Sequence, residues 1–157
     1  MIHKRIRIID VPFGLGSSRQ GTELAPESMR AAGLLRQIRG LGLEVTGEST
    51  VRTETAVNAS SVPKHLEAVR DMCRGVAEQV SEAVAADSFP LIIGGDQSVS
   101  IGAFAGLTNH YKKLGAICFT AYGGLLTEKT SPTGAANGMP LATALGLLWK
   151  SAQGRAR

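Results

Sequence analysis

Apolar runs separated by glycine-rich turns set the order of the predicted strands. RIRIIDVPF, at residues 5–13, is a short β-branched run that ends at a proline and a glycine, and it predicts the first strand. LGLEVTGEST, at 41–50, predicts the second strand. FPLIIGG, at 89–95, is continuously apolar, which is typical of a central parallel strand buried on both faces. LGAICF, at 114–119, predicts a fourth strand.

Helical periodicity fills the intervals between these runs. Pro26 marks the start of one helix, which Gly40 ends. A polar connection through Ser61 then leads to a long amphipathic helix beyond Pro63. Its apolar positions, separated by threes and fours, are Leu66, Val69, Met72, Cys73, Val76, Val80, Ala83 and Val84.

A further helix is predicted after the third strand, with Ser98 as its N-cap. The positions predicted to line one of its faces are Ile101, Phe104, Ala105 and Thr108. Strands that alternate with helices predict right-handed βαβ units and an open parallel sheet, so the fold class is α/β.

Composition and charge limit the classes of function that this chain can have. The 157 residues suffice for one domain, and the net charge is +4, from 17 basic and 13 acidic side chains. Aromatic residues make up 4% of the chain, and no basic stretch interleaves them, so no nucleic-acid partner is predicted. No run approaches membrane-spanning length, and Cys73 and Cys118 are interpreted as reduced core thiols, which favours a cytoplasmic location.

Two loops, IIGGDQS and FTAYGGLLT, follow the third and fourth predicted strands. Adjacent parallel strands would bring both loops to one crevice, where ligands bind in such folds. Asp96 is interpreted as the residue that holds the first of these loops, and Arg19 as the donor of a loop-ordering hydrogen bond. His65 and His110 are predicted to be surface residues away from the crevice.

Three segments together resemble the arginase (ureohydrolase) family, up to about Gly146. They are VPFGLGSSRQGTELAPESMRAAGLL, FPLIIGGDQSVSIGAFAGL and LGAICFTAYGGLLTEKTSPTGAANGMPLATALG. The resemblance implies a three-layer open parallel sheet of arginase-like type, incomplete at the C-terminal side. It assigns residues 1–146 to an arginase-like N-terminal half-domain and 147–157 to a basic tail that is disordered or left by truncation.

The resemblance also implies a chemistry. In the family, two manganese ions held by His and Asp side chains activate a bridging water, which attacks a guanidinium carbon and releases urea. The positions that match the family's metal ligands are Gln97, Thr120, Tyr122 and Gly124. None of them carries a carboxylate or an imidazole, so no catalytic residue, metal or other cofactor is expected here.

The substrate-contacting positions of the family also differ. The positions that match these contacts are Leu126, Thr133, Ala135 and Asn137, and no substrate contact is expected from them. The family's later SFDxDxxDP segment, which supplies further metal carboxylates, has no counterpart in this chain.

The resulting prediction is a truncated member of a family of manganese-dependent guanidine hydrolases, inactive by itself. The family acts on C–N bonds of linear amidines in arginine metabolism. The alternative is a non-catalytic binding or regulatory module that pairs with a full-length relative, or forms a homo-oligomer, through the crevice or an exposed sheet edge. No membrane partner is predicted.

Overall fold

The computed structural model describes residues 5–53 and 65–148, which contain three strands. The strands are β1 (Arg5–Val11), β2 (Glu44–Thr50) and β3 (Phe89–Gly94). The helices are α1 (Ala25–Ala31), α2 (Leu34–Gly40), α3 (Leu66–Ala85), α4 (Val99–Thr108) and α5 (Pro140–Ala144), with short 3₁₀ turns at Thr22–Leu24 and Ala136–Gly138. The alternating order confirms the α/β class.

The strands form a parallel sheet in the order β2-β1-β3. In the register, Ile8 lies opposite Leu91 of β3 and Glu48 of β2. The first two strand predictions are confirmed, but β3 is an edge strand among the described residues, so its prediction as a central strand is wrong. The central strand is β1, which has a neighbour on each side.

Helices cover both faces of the sheet and make three layers. On one face, Ile9 and Val11 of β1 pack in a core with Met72 and Val76 of α3. On the other face, Ile6, Ile8 and Ile93 pack with Ile38 of α2, and partly buried leucines of α2 and its neighbours join them. The long amphipathic helix is confirmed, and it packs on the sheet because its buried positions share one face.

The predicted single helix from Pro26 to Gly40 is wrong in its continuity. Two short helices take its place, and Gly33 stands between them with a φ of +90°. A left-handed residue ends a helix, and glycine adopts this conformation without the strain of a side chain. Pro26 lies in the first turn of α1, as predicted.

LGAICF is not a strand, which contradicts the prediction. Its residues are exposed: Ile117 keeps 85% of its accessible surface and Phe119 keeps 97%. A strand requires a neighbour with which to exchange backbone hydrogen bonds, and no described strand lies beside this segment. The pattern therefore indicates the capacity to form a strand and not its presence here.

The buried face of α4 is a different one from the face that carries the four predicted positions. Ser98 occupies the N-cap position, but its side chain makes no capping hydrogen bond. The buried residues are Val99, Gly102 and Gly106, because glycines let α4 approach α3 closely. The predicted positions share one face of the helix, which lines an open cleft: Ile101, Phe104, Ala105 and Thr108.

The remaining predictions have mixed outcomes. Cys73 is a half-buried free thiol, whereas Cys118 is exposed, so its assignment to the core is wrong. His110 is exposed and hydrogen-bonds Ser81, but His65 is half-buried at the start of α3. No helix in the described ranges is long and apolar enough to cross a membrane. The connection through Ser61 and the tail beyond Leu148 lie outside the described residues.

Candidate functional site

The turn that follows β3 is organised by Asp96. Its Oδ1 accepts a hydrogen bond from the Ser98 backbone N–H at 2.8 Å, and the backbone of Gly16 lies close to the same oxygen, while Oδ2 is buried without a hydrogen-bond partner among the described residues. Burial raises the pKa of Asp96, and hydrogen bonding to Ser98 opposes the rise. The contacts confirm that Asp96 holds its loop.

The first loop, after β1, packs on this turn. A Cβ atom built on Gly16 would collide with the Ser98 hydroxyl, so only glycine fits at this approach. The Asn137 N–H donates to the Gly16 carbonyl at 2.8 Å, which ties the loop to the segment before α5. Arg19 is exposed, and its backbone N–H donates to Ser17 Oγ at 3.1 Å, which agrees with the predicted loop-ordering hydrogen bond.

The FTAYGGLLT loop is fixed by the beginning of α5. The Gly124 carbonyl accepts hydrogen bonds from the N–H groups of Leu141 (2.9 Å) and Ala142 (3.0 Å), and the Leu126 N–H donates to the Gly138 carbonyl at 3.0 Å. Gly124 has a φ of +64°, in the left-handed region. Among the residues with side chains, asparagine and aspartate are the most tolerant of this region.

The two predicted loops, GGDQS and FTAYGGLLT, meet, as their sequence positions predict. A Cβ atom built on Gly124 would lie 3.4 Å from Nε2 of Gln97. Gln97 and Thr120 line one cleft of about 490 Å³, together with Ser100, Phe104 and Leu141. The structure therefore places Gln97, Thr120 and Gly124 at the same crevice.

The other predicted site residues lie differently. The Tyr122 side chain is 72% exposed, and Tyr122 is not among the residues that line this cleft. Thr133 is exposed, Ala135 is buried, and Asn137 is half-buried. Leu126 packs near Gly138, where a built Cβ atom would lie 2.9 Å from Leu126 Cδ1.

The residues at the matched positions do not fit a pair of manganese ions. Gln97 offers a neutral amide, Thr120 and Tyr122 offer exposed hydroxyls, and Gly124 offers no side chain. Manganese prefers carboxylate and imidazole donors, whose charge and basicity offset that of the cation. Over residues 5–53 and 65–148, no three side chains of His, Cys, Asp or Glu form a group that could hold a metal ion.

An ion-pair cluster that the sequence did not predict lies at the carboxyl ends of β1 and β2. The Arg30 guanidinium contacts Asp10 Oδ2 through Nε and Glu48 Oε2 through a terminal nitrogen, both at 2.6 Å. Its hydrogen bonds to Asp10 and then to Glu48 raise the pKa of Arg30. Asp10 is the one carboxylate in the apolar run of β1, and this could have predicted the ion pair, because a buried charge needs a partner of opposite charge.

Comparisons with known proteins agree on one family. A family model described as "Arginase family" matches residues 4–153. The arginase of Brevibacillus brevis is 37% identical over 147 residues, which are 92% of this chain and 49% of that protein. The chain therefore spans about half the length of the curated relatives it matches.

Solved structures show the same relationship. A crystal structure of arginase from Bacillus cereus superposes with a TM-score of 0.81 at 37% identity, over 90% of this chain and 47% of that one. The native arginase structure from Bacillus caldovelox gives a TM-score of 0.79 at 36% identity, over 90% and 48% of the two chains. The match covers nearly the whole chain in sequence and in fold, and the chain belongs to the arginase family.

Proposed function

We propose that this chain is a non-hydrolytic member of the arginase family, which keeps the scaffold of the crevice but not the side chains that would hold manganese. The observation that carries the proposal is the donor set at the crevice. Gln97, Thr120 and Gly124 meet there without a carboxylate or an imidazole among them. The two cations that the resemblance implies carry four positive charges, which neutral donors do not offset.

Energetics support the same proposal. A cation that loses its water shell must recover several kcal/mol from charged ligands, so each missing carboxylate weakens manganese binding by roughly that amount. Asp96 is near the crevice, but its Oδ1 already accepts the Ser98 N–H that orders the turn. The cytoplasm stays the predicted compartment, since the two cysteines are free thiols.

The first test is calorimetric titration of manganese into purified, folded protein, with urea release from arginine and agmatine assayed on the same sample. The Brevibacillus brevis arginase serves as the positive control for urea release. We expect neither a heat of binding nor urea from this chain. Urea production that a chelator abolishes would refute the proposal.

The second test restores the ligands that the resemblance implies. The variant carries Gln97→His, Thr120→Asp, Tyr122→His and Gly124→Asp, and we expect it to bind manganese at least about tenfold more tightly than the unaltered chain. We expect no urea release from it, because the family's later carboxylates have no counterpart among these residues. Equal affinities of the two proteins would contradict the placement of the ligand positions.

The alternative function is that of a binding or regulatory module, and one observation favours it. Residues 108–123 are exposed throughout, although they include the apolar run LGAICF. Apolar surface of this extent is typical of a protein-protein contact. This function is compatible with the absence of hydrolysis, so the two proposals are tested separately.

A further inference from the structure

We propose that Asn137 is a site of spontaneous deamidation, which contacts at the crevice hold unreactive and which reacts when those contacts open. The reacting groups are the side-chain amide of Asn137, the backbone nitrogen of Gly138 and a water molecule from solvent. The reaction needs no metal, substrate or partner, so it is independent of the two functions proposed above. Its main consequence is the release of the two loops that meet at this residue.

The sequence makes Asn137 the most reactive asparagine of the chain. The chain contains three asparagines, Asn58, Asn109 and Asn137, and Asn137 alone is followed by glycine. The backbone nitrogen of the following residue is the nucleophile in deamidation, and a side chain on that residue hinders its attack. Glycine has no side chain and gives the backbone the greatest conformational freedom. In the unfolded chain, Asn137 should therefore deamidate before the other two.

The reaction proceeds through a cyclic imide. The Gly138 nitrogen loses its proton to solvent and forms a bond to Cγ of Asn137, while the Cγ–Nδ2 bond breaks and the side-chain nitrogen takes up a proton and leaves as ammonia. Water then opens the ring. Cleavage of the new bond to Cγ gives aspartate, and cleavage of the original peptide bond gives isoaspartate, in which the backbone continues through Cγ. One water is consumed and one ammonia is released, with no change in oxidation state.

The local backbone opposes closure of the ring. Asn137 lies within the 3₁₀ turn Ala136–Gly138, where ψ is about −20 to −30° in such turns. The Gly138 N–H donates to the Ala135 carbonyl at 3.3 Å, so the nucleophilic nitrogen is directed away from the Asn137 side chain. Attack on Cγ requires rotation of the backbone at Asn137 and loss of this hydrogen bond. The bond is longer than the usual range of about 2.7–3.2 Å, so it needs support from other contacts.

The crevice loops supply that support from both sides. The Asn137 N–H donates to the Gly16 carbonyl at 2.8 Å, and the Gly138 carbonyl accepts the Leu126 N–H at 3.0 Å. The Leu126 side chain also packs on Gly138, where a built Cβ atom would lie 2.9 Å from Leu126 Cδ1. Both Asn137 and Gly138 are half-buried. Rotation at Asn137 therefore requires the loop after β1 and the FTAYGGLLT loop to separate from this turn.

The product removes the same contacts. Isoaspartate adds one carbon atom to the backbone between positions 137 and 138, so the N–H of residue 137 and the carbonyl of Gly138 can no longer both reach their partners. The new carboxylate also lowers the net charge of the chain from +4 by one. Since the released ammonia does not return, the conversion is one-way and leaves the loops separated.

The first test compares folded and unfolded protein. The full chain of 157 residues is incubated at mildly alkaline pH with and without guanidinium chloride, and deamidation is followed by peptide mass spectrometry and by released ammonia. We expect Asn137 to react at least about tenfold faster in the unfolded chain than in the folded one. In the unfolded chain it should also react before Asn58 and Asn109. Equal rates in both states, or no preference for Asn137 in the unfolded chain, would overturn the proposal.

Variants test the control by the loop. Leu126→Ala removes the side chain that packs on Gly138, and it should speed deamidation of Asn137 in the folded protein at least about threefold. Leu125→Ala is the matched control, since Leu125 is the neighbouring leucine and is 50% exposed. It should leave the rate unchanged, and all three proteins should react equally in denaturant. Hydrogen exchange of the Val76 amide, in the buried face of α3, should be the same in all three, which excludes global unfolding as the cause. Equal rates for the two folded leucine variants would contradict the assigned contact.

The final test examines the product. Converted protein is separated from the unaltered chain by ion exchange, and isoaspartate is distinguished from aspartate by electron-transfer fragmentation. We expect the Leu126 amide to exchange at least about tenfold faster in the isoaspartate form, because its acceptor on Gly138 has moved. Asn137→Asp carries the charge without the added backbone carbon, so it should keep the slow exchange. An isoaspartate form in which the Leu126 amide stays protected would refute the release of the loops.

Discussion

The packing of α4 on α3 gives a prediction whose size follows from interatomic distances. A Cβ atom built on Gly102 would lie 2.6 Å from the Cys73 carbonyl oxygen and 2.7 Å from Val76 Cβ. One built on Gly106 would lie 2.6 Å from the Ala77 carbonyl oxygen. These neighbours are backbone atoms of α3 and the Cβ atom of a valine, so they cannot move away by rotation as the end of a flexible side chain can.

We expect Gly102→Ala and Gly106→Ala each to destabilise the protein by about 1–2 kcal/mol. Overpacking of a core costs about 1–3 kcal/mol. Alanine recovers about 0.5–1 kcal/mol of this through its higher helix propensity. Because positions 102 and 106 share one face of α4, a single displacement of the helix relieves both contacts. The double variant should therefore lose less than the sum of the single losses.

The assay is equilibrium unfolding in urea, followed by far-ultraviolet circular dichroism, with the free energy of unfolding obtained by linear extrapolation. Gly40→Ala is the matched control, because a Cβ atom on that helical glycine meets nothing within 4 Å. We expect this variant to keep or raise stability. Two results would contradict the close packing of α4 on α3. One is that Gly102→Ala is as stable as the unaltered chain, and the other is that the double variant loses as much stability as the two single variants added together.

Three other predictions follow from the ion pairs, the buried turn and the thiols. Arg30→Met should reduce the free energy of unfolding by about 2–3 kcal/mol, because it leaves the buried Asp10 carboxylate without its cation. Arg30→Lys keeps the charge and should lose only part of that stability. If Arg30→Met and the unaltered chain unfold with equal free energies in urea, the ion pair does not have this role. Burial raises the pKa of Asp96 in the folded state, so ionisation of its carboxyl opposes folding as pH rises through that pKa. The stability of Asp96→Asn relative to the unaltered chain should therefore increase between pH 4 and pH 8. If the difference between their melting temperatures stays constant over this range, the raised pKa is excluded. Burial raises the pKa of the Cys73 thiol to about 12, so an aromatic disulfide reagent should label Cys118 in the native protein and Cys73 only after unfolding; rapid labelling of both would contradict the structure.

The sequence predicted where the crevice lies but not which side chains line it. GGDQS and FTAYGGLLT each follow an apolar run, and the structure brings Gln97 close to Gly124. The matched positions came from the resemblance to the family, because neutral residues in a loop carry no chemical signal of their own. Tyr122 shows the limit of that transfer: a residue can match a ligand position in sequence while its side chain points into solvent.

Sequence by itself determined the elements that local periodicity specifies. β1, β2 and the long helix α3 lie where the patterns predict them, since alternation and helical spacing depend on neighbours along the chain. The sequence also indicated the family, because three segments that resemble its motifs lie within residues 4–153, which the family model matches.

Only the tertiary structure decided how these elements are used. The same apolar pattern belongs to a paired strand in β1, to an edge strand in β3 and to an exposed segment in LGAICF. The physical reason is that a strand is completed by hydrogen bonds to a neighbour, which the pattern of a single segment cannot specify. The buried face of α4 was likewise set by the approach of α3 at Gly102 and Gly106, a contact between residues far apart in the sequence.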